Sequence, residues 1–170
     1  MTETIGRKIL IGDIHGCLET FRCLLGQMKA HIEQDQLILL GDYIDRGPHS
    51  KGVIDEIIQM KQEGWDIISI RGNHEQMLIA GHHAEVVKGW VDMADKELTD
   101  SFEISNLTEL PSAYIDLCES LPYYYLDNEF IAVHAGINFD RKQPLEHTED
   151  LMWIRDWYGN VDYDWLQGRK

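Results

Sequence analysis

Basic residues are in short supply: fifteen Lys and Arg stand against thirty Asp and Glu, for a formal net charge of −15 over 170 residues. Polyanionic partners attract basic surfaces, so this balance argues against nucleic acid or an anionic membrane as the standing partner. Cysteine is sparse as well. Cys17, Cys23 and Cys118 are the three present, with no Cys-x-x-Cys pair, which excludes a disulfide framework and a structural zinc knuckle and fits a reducing cytoplasm. Long apolar runs are missing: residues 1 to 8 hold no apolar signal core, and no run approaches the length of a membrane span. Internal repeats, low-complexity tracts and an interdomain linker are also lacking. These features predict one soluble, cytoplasmic domain over residues 1–170.

Three short apolar runs carry the organisation. Ile9-Leu10-Ile11 leads into Gly12-Asp13-Ile14-His15-Gly16, and Leu37-Ile38-Leu39-Leu40 into Gly41-Asp42-Tyr43-Ile44-Asp45-Arg46-Gly47. Ile67-Ile68-Ser69-Ile70 leads into Arg71-Gly72-Asn73-His74-Glu75. Each run bounded by glycine reads as a buried strand. Asp13 lies 29 residues before Asp42 and Asn73 lies 31 after it, which is the length of one βαβ unit, about 30 residues. Three consecutive strands therefore bring a metal-type ligand to the carboxyl edge of one sheet, where open α/β sheets hold their ligands. Asp42 is the middle one, placed to bridge its neighbours.

The strands are read at 8–12, 36–40 and 67–70. After the first, Phe21, Leu24, Leu25 and Met28 repeat at the three-to-four spacing of a core-facing helix. Ser50 reads as the N-cap of a helix that buries Val53, Ile54, Ile57, Ile58 and Met60 and ends at Gly64. Residues 75–105 read as two helices broken at Gly81-His82-His83, with Met77, Leu78, Val86, Val87, Trp90 and Met93 as buried candidates. A helix after Pro111 turns Tyr114, Ile115, Leu117, Cys118 and Leu121 inward. A strand pair at 123–126 and 130–133 then runs into His134-Ala135-Gly136. Beyond Gly136 the chain reads as loop, apart from residues 151–155 and Trp157-Tyr158.

A centre of two metal ions needs one anion shared by both and a few further ligands on each. Asp13, His15 and Asp42 can serve one ion; Asp42, Asn73 and His134 can serve the other. Oxygen and imidazole ligands without thiolate suit manganese, iron or zinc over calcium. Such ions polarise a phosphoryl group and activate a water. Phosphate oxygens also need matching donors, and a planar guanidinium supplies them in pairs. Arg46, on the Asp42 loop, and Arg155, in an otherwise apolar run, are the candidates. A leaving oxygen needs a proton, which is work for a His held by a carboxylate: His74 follows Asn73, and Asp45 lies on the adjacent loop. His82 and His83 read as solvent-facing and Cys17 as a small buried hydrophobe, while His31, His49 and His147 are given no role.

GDIHG at 12–16, GDYIDRG at 41–47, RGNHE at 71–75, HAG at 134–136 and LMWIRD at 151–156 together resemble the phosphoprotein phosphatase (PPP) branch of the calcineurin-like metallophosphoesterases, in particular its bacterial and phage members. The motifs fall in the family's order and span nearly the whole chain. The resemblance implies an α/β fold, a central two-sheet β-sandwich flanked by helices. It implies two divalent ions, manganese first with iron or zinc as alternatives, on the two ligand sets named above. His74 becomes the general acid paired with Asp45, and Arg46, Arg155 and Asn73 hold the substrate phosphate.

The implied activity is direct hydrolysis of a phosphomonoester, in phosphoserine, phosphothreonine or phosphotyrosine of a phosphoprotein or phosphopeptide, without a phosphoenzyme. Resembling proteins also include hydrolases of dinucleoside polyphosphates, and a third reading is a phosphate-binding module without turnover. The family takes a further His for the second metal from a Gly-His-Thr motif after the WIR segment. Here His147, the only His after His134, precedes Arg155 and does not match. The second ion is therefore expected to bind weakly and the second sheet to be incomplete. The 170-residue form is expected to have weak or no activity unless a neighbouring chain fills the gap.

Overall fold

In the computed structural model, which describes residues 6–83, 96–156 and 162–169, the three apolar runs are parallel neighbours. β1 (Lys8–Ile11), β2 (Gln36–Leu39) and β3 (Asp66–Ser69) form a sheet in the order β1-β2-β3, with Ile9 opposite Leu37 and Leu37 opposite Ile67. Leu37, Ile38 and Leu39 of the middle strand are all 0% exposed. A parallel sheet is covered on both faces, and its central strand reads as an unbroken apolar run for that reason.

The crossovers are α1 (Leu18–Met28) and α2 (Ser50–Gln62), followed after β3 by α3 (Asn73–His82), α4 (Lys96–Phe102) and α5 (Ser112–Ser120). Side chains alternate along a strand, so Leu37 and Leu39 turn toward these helices. There they join one cluster with Ile11, Phe21, Val53, Ile54, Ile57, Leu78, Leu98, Ile115 and Cys118. Ile38 and Leu10 turn the other way, toward the antiparallel pair β4 (Tyr124–Leu126) and β5 (Ile131–Val133). Leu10, Leu40 and the β5 residues line one groove between the two sheets. The result is α/β, with a three-stranded and a two-stranded sheet facing each other and helices outside the first.

Polar contacts fasten the hairpin to the sheet. The Lys8 ammonium binds the Asp127 carboxylate, the Tyr125 hydroxyl donates to Gln36 Oε1 at 3.3 Å, and Arg169 Nε donates to the Asp127 carbonyl at 2.7 Å. At its far end, His134 Nδ1 lies 2.8 Å from the Leu40 carbonyl, just past β2.

Several local readings need correction. Position 49, not Ser50, is the N-cap of α2; Ser50 is wholly buried, and its hydroxyl accepts from Asp45 N at 3.0 Å. Leu24 is 37% exposed, at the edge of the α1 stripe. Among the described residues beyond Gly136 there are a 3-10 turn (Pro144–Glu146), α6 (Thr148–Trp153) and α7 (Tyr163–Leu166), with Leu151, Met152 and Leu166 buried. Helices this short show no full period in sequence. Val86, Val87, Trp90, Met93, Trp157 and Tyr158 lie outside the described residues. No helix among the described residues is long and apolar enough to cross a membrane.

Where β1 and β2 begin, Arg7 holds Asp35 in a fork, Nε at 3.0 Å from Oδ1 and Nη2 at 2.6 Å from Oδ2. Asp35 also accepts from the Arg7 and His31 backbone N–H groups. The Arg7 guanidinium, helped by those N–H groups, keeps the Asp35 carboxyl well below its ordinary 3.8. A carboxyl lowered by folding contributes stability that is complete above its unfolded value and fades as pH falls toward the folded one. Asp35→Asn is therefore expected to lower the melting temperature at pH 6, with the gap to wild type narrowing as pH drops below the ordinary 3.8. Thermal melts followed by circular dichroism check this, and a gap independent of pH would rule the ion pair out as its cause.

Candidate metal centre

The site is made where the loops after β1, β2 and β3 touch. Ile14 N and His15 N both donate to the Asp42 carbonyl, at 3.0 and 2.9 Å, and Gly16 N donates to the Tyr43 carbonyl at 2.8 Å. Glycine permits the contact. A Cβ on Gly41, at φ +92°, would lie 2.5 Å from Gly72 N. Non-glycine residues also take left-handed backbone here: His15 at φ +46°, Asp42 at +54°, Asp45 at +67° and Arg46 at +64°. Such conformations cost about 1–3 kcal/mol each and persist where the surroundings over-determine them.

A neutral imidazole has one N–H. His15 places its Nδ1 2.7 Å from the Ile44 carbonyl, and His134 places its Nδ1 2.8 Å from the Leu40 carbonyl, so in the neutral tautomer that donates to these carbonyls each Nε2 carries a lone pair. His15 Nε2 is buried without a hydrogen-bond partner among the described residues, 3.6 Å from Asp42 Oδ2 and 3.7 Å from Asp13 Oδ2. His134 Nε2 lies 2.9 Å from Asn73 Oδ1 and 3.4 Å from Asp42 Oδ2. Lone pairs thus face lone pairs, an arrangement that a cation relieves. Carboxylate, amide and imidazole donors suit a divalent ion of the manganese, iron or zinc class, and a carbonyl on the remote nitrogen is how ligating histidines are oriented. The residues present therefore fit such ions.

His74 belongs to the same knot. Its backbone N–H donates to Asp42 Oδ1 at 3.1 Å, its Nδ1 lies 2.5 Å from Asp45 Oδ2, and its Nε2 lies 3.8 Å from Asp42 Oδ2. Burial pulls the imidazole down, but the Asp45 hydrogen bond and the Asp42 and Asp45 charges carry it above its ordinary value. The neighbouring Glu75 is 0% exposed and accepts from Asp42 N, Tyr43 N and Gly72 N at 2.9, 2.7 and 3.0 Å. Burial, with the Asp42 charge, pushes its carboxyl up to about 7 against those three bonds. Glu75 closes the RGNHE motif and carries no assigned role in the sequence. The available signal was an acid at the third helical position after a glycine cap, the acidic half of a capping box.

Asp42 takes part in two groups of possible ligands, His15-Asp42-His74 and Asp13-Asp42-His134, and is the carboxylate common to both. Asp13 stands between His15 and His134, at 3.7 and 4.0 Å, and its half-exposed side chain marks the open side. Arg46 is exposed on the Asp42 loop. Arg155 is exposed too, and its described polar contact is a 3.0 Å bond from Nη1 to the Ile154 carbonyl. Cys17 is exposed, not buried. Of the two outlying histidines, His83 is exposed and paired with Glu119 at 2.9 Å, whereas His82 is half-buried on the Leu107 carbonyl.

Manganese at a hundredfold excess over its Kd would stabilise a protein that binds it only when folded by about 2.7 kcal/mol. Excess manganese is expected to raise the melting temperature of wild type, EDTA to reverse the rise, and Asp42→Asn to abolish most of it. Differential scanning fluorimetry measures all three.

The Calcineurin-like phosphoesterase family model matches residues 6–168. Over 145 residues the chain is 31% identical to the asymmetrical bis(5'-nucleosyl)-tetraphosphatase PrpE of Anoxybacillus flavithermus, covering 77% of this chain and 58% of the relative. Serine/threonine-protein phosphatase 1 of Salmonella typhimurium is 31% identical over 114 residues, 67% of this chain and 50% of that protein. A solved serine/threonine phosphatase from Saccharomyces cerevisiae superposes with a TM-score of 0.61 at 18% identity, over 89% of this chain and 50% of its own. The chain spans about half the length of the curated relatives it matches. A family match that runs through all three ligand-bearing strands and on past the hairpin leaves one assignment: the chain belongs to the calcineurin-like phosphoesterases.

Proposed function

We propose that the chain is a metal-dependent phosphoester hydrolase whose two ions share Asp42, with Asp13 and His15 on one side and Asn73 and His134 on the other. The observation that carries this reading is the buried, unpartnered Nε2 of His15 facing two carboxylates. Two divalent ions, manganese first and iron or zinc next, would supply Lewis acidity at the phosphoryl oxygens and lower the pKa of an attacking water.

The protein's own part is positioning and proton transfer. Asp45 fixes the His74 ring through Nδ1, which leaves Nε2 turned toward the Asp42 carboxylate and the open side. His74 would then give the Nε2 proton to the leaving oxygen as the P–O bond breaks. The edge-on contact of the His15 and His74 rings, centroids 4.7 Å apart, restrains both. Arg46, on the exposed rim of the same loop, would pair with the non-bridging phosphate oxygens. Arg155 would join it when substrate is bound.

For the substrate, we favour a dinucleoside tetraphosphate, because PrpE and several further curated relatives, 28–33% identical, carry the tetraphosphatase name. The second reading is a phosphoserine or phosphothreonine protein, supported by the Salmonella phosphatase and by the Glu that closes the RGNHE motif. Nucleic acid and membranes are disfavoured as partners by the net charge of −15.

Turnover of diadenosine tetraphosphate and of a phosphoserine peptide, compared as kcat/KM with manganese present, separates the readings. We expect the dinucleotide to be preferred. The reverse order would select the phosphoprotein, and binding of either without turnover would leave a phosphate-binding module. His74→Asn is expected to lower kcat by about 10²–10⁴-fold, the usual worth of a general acid, with little change in KM. Steady-state kinetics on the phosphoserine peptide check this, since its alkoxide leaving group needs a proton; para-nitrophenyl phosphate and the dinucleoside tetraphosphate, whose phenolate or nucleotide-phosphate leaving groups need little or none, would not serve.

A further inference from the structure

Glu75 has an unusual relation to the candidate ligands. It is wholly buried, and its described bonds go to backbone N–H groups: Oε2 accepts from Asp42 N at 2.9 Å and Gly72 N at 3.0 Å, and Oε1 from Tyr43 N at 2.7 Å. Asp42 returns the contact, since its Oδ1 accepts from His74 N at 3.1 Å. Two carboxylates therefore cross between two loops, each accepting backbone N–H groups from the other's segment. Gly72 lets them pass, because a Cβ there would lie 2.3 Å from Asp42 Oδ1.

The crossing fixes what Asp42 can offer. With Oδ1 engaged by His74 N, Oδ2 remains, and it lies 3.4 Å from His134 Nε2, 3.6 Å from His15 Nε2 and 3.8 Å from His74 Nε2. One oxygen is thus held among three imidazole nitrogens. The Asp42 backbone is at φ +54°, off the usual conformation, and the two N–H groups that bracket this residue's carbonyl and side chain, its own and that of Tyr43, both end on Glu75.

We propose that Glu75 is a positioning residue that sets the metal affinity of the centre from outside it, by clamping the Asp42 loop so that Oδ2 faces both metal positions. The inference rests on the reading of Asp42 as the shared ligand. It predicts that loosening the clamp weakens ion binding at both positions together, because they share that oxygen, and that excess ion restores function. Partners of this kind alter metal affinity by about 10–100-fold.

The test is manganese titration of the full chain, followed by the electron paramagnetic resonance signal of the free ion, for wild type, Glu75→Gln and Glu75→Asp. Gln keeps the shape but sets an amide N–H₂ against backbone donors; Asp keeps the charge but shortens the reach. Both variants are expected to bind manganese at least 10-fold more weakly than wild type. Their turnover of the preferred substrate at saturating manganese is expected to return toward wild type. Wild-type manganese affinity in the folded variants would overturn the proposal. So would lost activity that manganese does not restore, or failure of both variants to fold even at saturating manganese, since each would make Glu75 catalytic or purely structural. Absence of manganese binding by wild type would instead remove the metal reading beneath it.

Discussion

Asp42, Asp45 and Glu75 are taken out of water together at one sheet edge, with exposures of 3%, 2% and 0%. Burying charge is costly unless it is paired and hydrogen-bonded, and the surrounding geometry is a set of answers to that cost. Backbone N–H groups of two loops converge on Glu75, and the His74 imidazole is held by Asp45. Among the described residues, Asp45 Oδ1 and His15 Nε2 are still left buried without hydrogen-bond partners. A surplus of negative charge beside bare imidazole nitrogens is a poor place for water alone and a good one for a divalent cation.

Parallel topology is what gathers these groups. Each crossover returns the chain to the same edge, so every strand ends on the same side, and β2, buried on both faces, holds Asp42 between the other two loops. The start of α3 adds to this. Its first turn carries Asn73, His74 and Glu75, and the free N–H groups and positive dipole end of a helix favour nearby carboxylates. The hairpin approaches from the other face of the sheet and brings His134 to the Leu40 carbonyl. The site thus joins both sheets, and the groove lined by Leu10 and β5 runs alongside that junction.

Much of this was legible because it is periodic. Asp13, Asp42 and Asn73 follow apolar runs at intervals of one βαβ unit, and each falls where the strand count puts it. His134 was legible for the same reason, as the end of the second hairpin strand. What escaped was decided by tertiary contact. Ser50 has the composition of an N-cap, yet its hydroxyl is drawn to Asp45 N because that buried donor has more to lose. Glu75 looks like an ordinary first-turn acid, and only the fold reveals that it reaches across to the Asp42 loop. Leu24 fits the helical spacing but falls at the edge of the stripe. After Gly136 the apolar run at 151–155 stood out from the loop around it and overlaps α6, where Leu151 and Met152 are buried, whereas α7, with Leu166 buried, has no local pattern that announces it.

The run of left-handed residues bears on how freely the chain can vary. On the proposed reading, His15 and Asp42 must each supply a donor atom of the right kind while sitting at φ +46° and +54°. Few residue types meet both demands: Asp, Asn and His are among those that enter this region most readily, and β-branched or bulky residues are outliers there. Asp42→Glu would keep the charge yet lengthen the reach, and Gly would relax the backbone yet supply no ligand. Chemistry and conformation therefore filter the same positions independently, and the substitutions that survive both filters are far fewer than either would leave alone. Diversification of such a chain is pushed outward, to surfaces that neither bind the centre nor shape its turns.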